Sequence, residues 1–345
     1  MCTREKTVSR LIFYDYSSIL FLMEHVKKRK DMGNYIFPFV STFGLVIYES
    51  LKLIDKMGAS EKIGFEQNDE FSKFYEKLRL NTKFYEKSLC DVNSCLKNKY
   101  DYMSNYFYNL VVKFLRPFGI HYRYGVTFLL KDGKEFPISN TINSAVILPG
   151  FSLSKEYNQY LLKNFVYAGE ILAKILGEDI VKSKNLFTID KDTKFKDIDY
   201  GYFRRCDFSL DYNENFILFN LICNINFILY GLNQLIIEDA PIKLRATYLL
   251  YYYLCSINSE INDYFNTSFN IDDRYSDSKV RNALAHYGLY QALGDDIIED
   301  DLFGGLTNKY FNLNWINLLK ELNNILLDYR DKILFYLEKN NIQIV

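Results

Sequence analysis

The run from Asn215 to Ile237 carries no formal charge, and a stretch of that length must be withdrawn from water somewhere. About 20 apolar residues are enough to cross a bilayer as a helix. This run also holds Asn215, Asn220, Asn224, Asn226, Asn233 and Gln234, amides that hydrocarbon would leave largely without hydrogen-bond partners. A helix buried inside a bundle suits both sets of residues, so no membrane span is expected. The supply of side chains agrees. The 30 Tyr and 28 Phe, set against 16 Gly and 5 Pro, give much bulk for an interior and few turn formers, which favours long helices. A chain of 345 residues with 49% hydrophobic and 25% charged residues is composed like a globular protein, at about 150 residues per domain.

The formal charge of −1 supplies no overall basic field, so a polyanion would have to meet a local patch. Near the N-terminus, Leu11 to Met23 is largely apolar, but Asp15 interrupts it and no small-residue cleavage site follows. The segment is therefore not read as a signal peptide. The six cysteines (Cys2, Cys90, Cys95, Cys206, Cys223, Cys255) form no C-x-x-C pair. They read as reduced core thiols of a cytoplasmic protein, neither a disulfide framework nor a zinc site.

Along the chain the apolar period is mostly helical. Tyr35 to Met57 and Lys155 to Leu176 read as helices, and Phe71 to Phe114 as an amphipathic, Tyr-rich pair. Near 122–148 the period changes. Val126–Leu130 and Glu135–Ile138, joined through Lys131-Asp132-Gly133-Lys134, read as a β-hairpin with an Asp-Gly turn, and Ser144–Leu148 as a third short strand. The charged, aperiodic stretch 182–200 reads as a linker. A four-helix antiparallel bundle should follow: 215–237; 244–265; 280 to about 293; and 314 to about 339. The expected fold is mainly α, with an α-rich region over 1–200 that contains the small hairpin and a C-terminal bundle over 205–345.

The third bundle helix contains Arg281-Asn282-Ala283-Leu284-Ala285-His286-Tyr287-Gly288. At about 100° per residue, Asn282 and His286 share one face, while Val280, Ala283, Leu284 and Tyr287 turn toward the core. The Arg281 side chain, long and near the helix start, can curl round toward that face. An imidazole, an amide to orient it and a guanidinium are the groups that metal-free RNA cleavage needs. A ring that titrates near neutral pH can take the proton of a 2′-hydroxyl or return one to the leaving 5′-oxygen. A guanidinium stays charged and matches phosphate oxygens two at a time.

Arg281-Asn282-x-x-x-His286, within a C-terminal helical bundle, resembles the R-x4-6-H motif of the HEPN-superfamily ribonucleases. The resemblance covers roughly 205–345. It implies an endoribonuclease that needs no metal or other cofactor and leaves a 2′,3′-cyclic phosphate and a 5′-hydroxyl. The catalytic residues would be Arg281, Asn282 and His286. It also implies a homodimer with a composite cleft, because such clefts usually take Arg and His from two modules. Similar modules occur in toxin–antitoxin systems, abortive-infection proteins and CRISPR effectors, so the implied role is a toxin or antiviral-defence effector, with an antitoxin or regulator as a further partner. One toxin subfamily places a Tyr two residues after the His; here Gly288 stands there.

Two other readings of the same residues stay open. One keeps the fold without the chemistry, as an RNA- or nucleotide-binding module or an interaction partner in a defence complex. The other makes Arg281, Asn282 and His286 a polar cluster at a helix start. Arg116 and His121 repeat the spacing, but Pro117 and Gly119 lie between them. Lys113, Arg116 and Arg123 among aromatic residues, with Tyr287 and Tyr290, form a weak RNA-binding set. Glu49 and Glu260 are carboxylates that could orient His286 or Arg281 across the bundle, although the simpler reading makes each a surface or interhelical polar residue. The acidic residues Asp295, Asp296, Glu299, Asp300 and Asp301 read as a solvated loop.

Overall fold

A computed structural model describes residues 3–27, 46, 48–50, 52, 88–108, 125–140, 186–199 and 212–342. These are 64% helical, with one small antiparallel sheet and a C-terminal helical cluster, so the protein is mainly α. Helix α1 spans Thr3–Lys27 and α2 spans Leu89–Tyr108. The strands are β1 (Gly125–Lys131), β2 (Lys134–Asn140) and β3 (Lys194–Asp199). The C-terminal part holds α3 (Phe216–Asn226), α4 (Pro241–Phe265), α5 (Ser278–His286), α6 (Leu289–Leu293), α7 (Leu306–Phe311) and α8 (Trp315–Lys339). Residues 46, 48–50 and 52 are also helical. The helix expected at 155–176 and the strand expected at 144–148 lie outside the described residues.

The hairpin forms where its turn chemistry asks for it. Asp132 and Gly133 take φ of +51° and +74°, the left-handed pair of a tight turn whose twist matches the flanking strands. Strand order is β2-β1-β3. Pro137 sits on the outer strand β2, opposite Phe128 beside a register shift, where its missing N–H breaks no central ladder. Helix α3 covers that edge: the Asn226 amide donates to the Pro137 carbonyl at 3.1 Å and the Asn140 amide to Asn220 Oδ1 at 2.6 Å. Asn220 and Asn226 therefore sit in a buried amide network.

Two expectations about the sheet and the bundle need correction. The stretch 182–200 is not simply a linker, because it supplies β3, which pairs with β1 from Gly125↔Asp199 to Leu130↔Lys194. Charged residues suit an edge strand, and Lys196 reaches Glu135 on β2 at 3.1 Å. The third bundle helix does not run to Leu293. It ends at His286, because Tyr287 enters the left-handed region (φ +52°), and the chain restarts as the short α6.

The charge-free stretch is buried helix over most of its length: α3 continues into a wider π-helical turn over Phe227–Leu232. The helix expected to reach Ile237 stops there, and 233–237 form a turn and a bridge from Ile236 to Ile189 that leaves Ile237 exposed. Among the described residues no helix is long and apolar enough to cross a membrane. Helices α4 and α8 pack along each other, with Leu318, Leu322, Ile325, Tyr329 and Ile333 of α8 buried. Residues on both sides of the expected boundary near 200 share one buried cluster, from Val8 on α1 to Ile342. The thiols divide: Cys223 is buried, Cys95 and Cys255 half-buried, and Cys90 exposed, so Cys90 is not the core thiol expected. Burial pushes the Cys255 thiol up to about 12, which keeps it protonated.

Candidate active site

Helix α5, which carries the motif, is short and is held in place from α4. The Tyr248 hydroxyl donates to the Tyr275 carbonyl at 2.8 Å and accepts from the Asp277 N–H at 3.1 Å. The Tyr251 hydroxyl donates to the Asp272 carbonyl at 2.9 Å and accepts from the Tyr275 N–H at 3.1 Å. Two buried rings of α4 thus pin the loop that leads into α5. Asp277 then caps the helix, accepting from Lys279 N at 2.7 Å and Val280 N at 3.0 Å. Val280, Ala283 and Leu284 face the core, leaving Asn282 exposed and Arg281 and His286 half-buried.

Of the three motif residues, Arg281 and Asn282 are in direct contact, and His286 closes the same helix. Arg281 Nη1 donates to Asn282 Oδ1 at 2.8 Å, and its guanidinium lies 5.2 Å from the Tyr252 ring centroid and 5.9 Å from that of Tyr253. Those rings stiffen a long side chain by cation–π attraction. Asn282 stands one turn before His286 on the same helix face.

His286 meets Glu49, from the helical residues near 50. Glu49 Oε1 lies 3.0 Å from His286 Nδ1; the imidazole is 30% exposed and the carboxylate side chain 7%. An ionised carboxylate only accepts, so Nδ1 carries the hydrogen and, in the neutral ring, Nε2 keeps its lone pair. The neighbour of Glu49, Ser50, shares a buried hydrogen bond of 3.0 Å with Tyr16 of α1. The carboxylate is thereby anchored to the N-terminal helix.

Beneath α5 lies a group of residues that sequence reasoning missed. Arg245 of α4 is fully buried; it donates through Nε to the Leu284 carbonyl at 2.8 Å and through Nη1 to Asp15 Oδ2 and the Tyr287 hydroxyl. The Tyr287 hydroxyl donates to Asp15 Oδ2 at 2.6 Å, and its ring centroid lies 3.9 Å from the guanidinium. Burial pushes the Asp15 carboxyl up against the pull of Arg245, and pushes the Tyr287 hydroxyl well above its ordinary range. Burial works against the charge on Arg245, but Tyr287, Asp15 and Glu49 together hold it above its ordinary value. A signal existed: Asp15 and Arg245 are opposite charges, each embedded in an apolar helical run.

The remaining candidates separate. Tyr287, expected among RNA-binding residues, is only 3% exposed and spends its hydroxyl on Asp15, so it offers no face to a base. Tyr290 is 42% exposed on α6. Lys113, Arg116, Arg123 and His121 lie outside the described residues. Glu260 does not reach the motif; its Oε1 accepts the Leu89 N–H at 2.6 Å at the start of α2. In the acidic loop, Asp296 pairs with Lys309 at 2.9 Å, and Asp301 accepts the Phe303 N–H at 2.7 Å. No protein-family model, curated protein or solved structure matches this chain.

If the Glu49 carboxylate sets the ring, Glu49→Gln keeps the shape and removes the charge that holds Nδ1–H. Under the RNA cleavage that the motif's resemblance implies, the variant's kcat is expected to fall about tenfold or more, with KM little changed. Wild-type kcat in Glu49→Gln would detach Glu49 from the site.

Proposed function

We propose that this protein is a metal-independent endoribonuclease that cuts RNA by attack of a 2′-hydroxyl on the adjacent phosphorus, and that it acts as a toxin or antiviral-defence effector. The observation that carries the reading is the half-buried His286 imidazole, steered through Nδ1 by the buried Glu49 carboxylate while Nε2 is left for proton transfer. The 2′-oxygen bonds to phosphorus, the 5′-oxygen departs, and the products are a 2′,3′-cyclic phosphate and a 5′-hydroxyl. The reaction needs one proton removed and one supplied, and His286 Nε2 is the atom suited to both. Glu49 stabilises the imidazolium form of the ring. Arg281 supplies the charge for the crowded phosphorus, and Asn282 fixes the guanidinium.

In the two-copy cleft proposed here, one His286 takes the first proton while the partner copy's ring delivers the second. That division is the physical case for a homodimer. The test is purified protein on a mixed-sequence RNA in EDTA. Cleavage is expected to persist, with cyclic-phosphate and 5′-hydroxyl ends. Cleavage that needs magnesium, or that leaves 5′-phosphates, overturns the reading; RNA binding without any cutting favours the non-catalytic module.

A further inference from the structure

His286 is the last residue of α5, and the chain leaves that helix in an uncommon way. Tyr287 takes a left-handed backbone (φ +52°), a helix-end position where Gly or Asn is the ordinary occupant. A Tyr is kept in that strained place with its ring buried, and its hydroxyl bonds two charged groups that are themselves fully buried, Asp15 and Arg245. The same guanidinium takes the Leu284 carbonyl. Arg245 therefore grips the backbone two residues before His286 and the side chain one residue after it. A buried ion pair seldom stabilises a fold better than apolar packing would, and here Asp15 Oδ1 and Arg245 Nη2 are buried without a hydrogen-bond partner. The arrangement is costly as a support and well shaped as a clamp.

We infer that Asp15, Arg245 and Tyr287 are positioning residues that lock the end of α5 and so fix the direction of the His286 imidazole, making the site depend on the seating of α1. Both hands on the histidine come from outside the bundle: Glu49 holds the ring, and Asp15 of α1 completes the clamp on its backbone. The inference takes the proposed ribonuclease as its activity, but its first readout does not need that activity. The chain has three histidines, so the His286 imidazole signals can be assigned in a carbon–proton NMR spectrum by their loss in His286→Asn.

Tyr287→Phe keeps the ring over Arg245 and removes only the hydroxyl; Asp15→Asn keeps shape and an acceptor. In both, the His286 signals are expected to shift and broaden at a temperature well below unfolding, and kcat for RNA cleavage to fall about ten- to a hundredfold with KM unchanged. A support that only adds stability would lower the unfolding temperature and leave the His286 signals where they are. Unmoved signals in both folded variants overturn the inference, as does loss of the fold in both, which would make the triad structural alone. If wild type cuts no RNA while the signals still move, the nuclease reading fails and the clamp stands.

Discussion

Arg281→Ala and His286→Ala are each expected to slow RNA cleavage in EDTA by about 10²–10⁴-fold, with little change in KM. The reason is geometric. Both side chains belong to a helix of nine residues, and the Arg281 guanidinium is tied to Asn282 on the face that His286 shares. Groups that act on one phosphate at one moment do not contribute independently. The double variant should therefore be scarcely slower than the worse single one. The measurement is kcat and KM on a short oligonucleotide, with the unfolding temperature recorded for each protein, because His286→Ala also strips the buried Glu49 of its imidazole partner. Full activity in either single variant would end the assignment. Losses that simply multiply would mean that the two residues serve different steps.

The second large effect concerns stability. Arg245→Met is expected to cost about 3–5 kcal/mol by denaturant unfolding, since it leaves Asp15 in the interior without its guanidinium. Asp15→Leu combined with Arg245→Met should recover most of that loss, because apolar groups of similar size replace both charges. The pH dependence has a definite sign. In the single variant the Asp15 carboxyl, already raised by burial, is raised further. Above its ordinary range the unfolded chain then releases a proton that the native chain keeps, so the unfolded state binds fewer protons and stability falls as pH rises. The variant should be closest to wild type at acid pH. A loss under about 1 kcal/mol at neutral pH would show that the ion pair stabilises little.

Helices whose identity rests on local pattern were legible from residue order. The long apolar stripes of α4 and α8 follow a period that one core-facing side imposes, and Asn314 caps α8 through Asn317 N at 2.8 Å. The hairpin was legible because Asp-Gly suits the left-handed turn that joins it. Strand β3 was not, because four of its six residues are charged and its stability comes from backbone pairing with β1, which is distant in sequence. The end of α5 was missed for a related reason. Nothing local forbids a helix through Tyr287; in the fold its hydroxyl is held by Asp15 and Arg245 while the backbone turns left-handed.

The candidate site divides along the same line. Arg281, Asn282 and His286 could be read directly, since helical spacing alone decides that Asn282 and His286 share a face. Glu49 stood in the sequence only as one of two carboxylates within reach of them, and packing decided between the two by giving Glu260 to the start of α2. Asp15 looked like an interruption of an apolar run. Residue order thus determined which chemical groups the protein owns and which of them a single helix can present together. Tertiary structure alone decided which distant charge would meet which, because a buried charge is tolerable only where another element arrives to pair with it, and that meeting leaves no periodic trace in the chain.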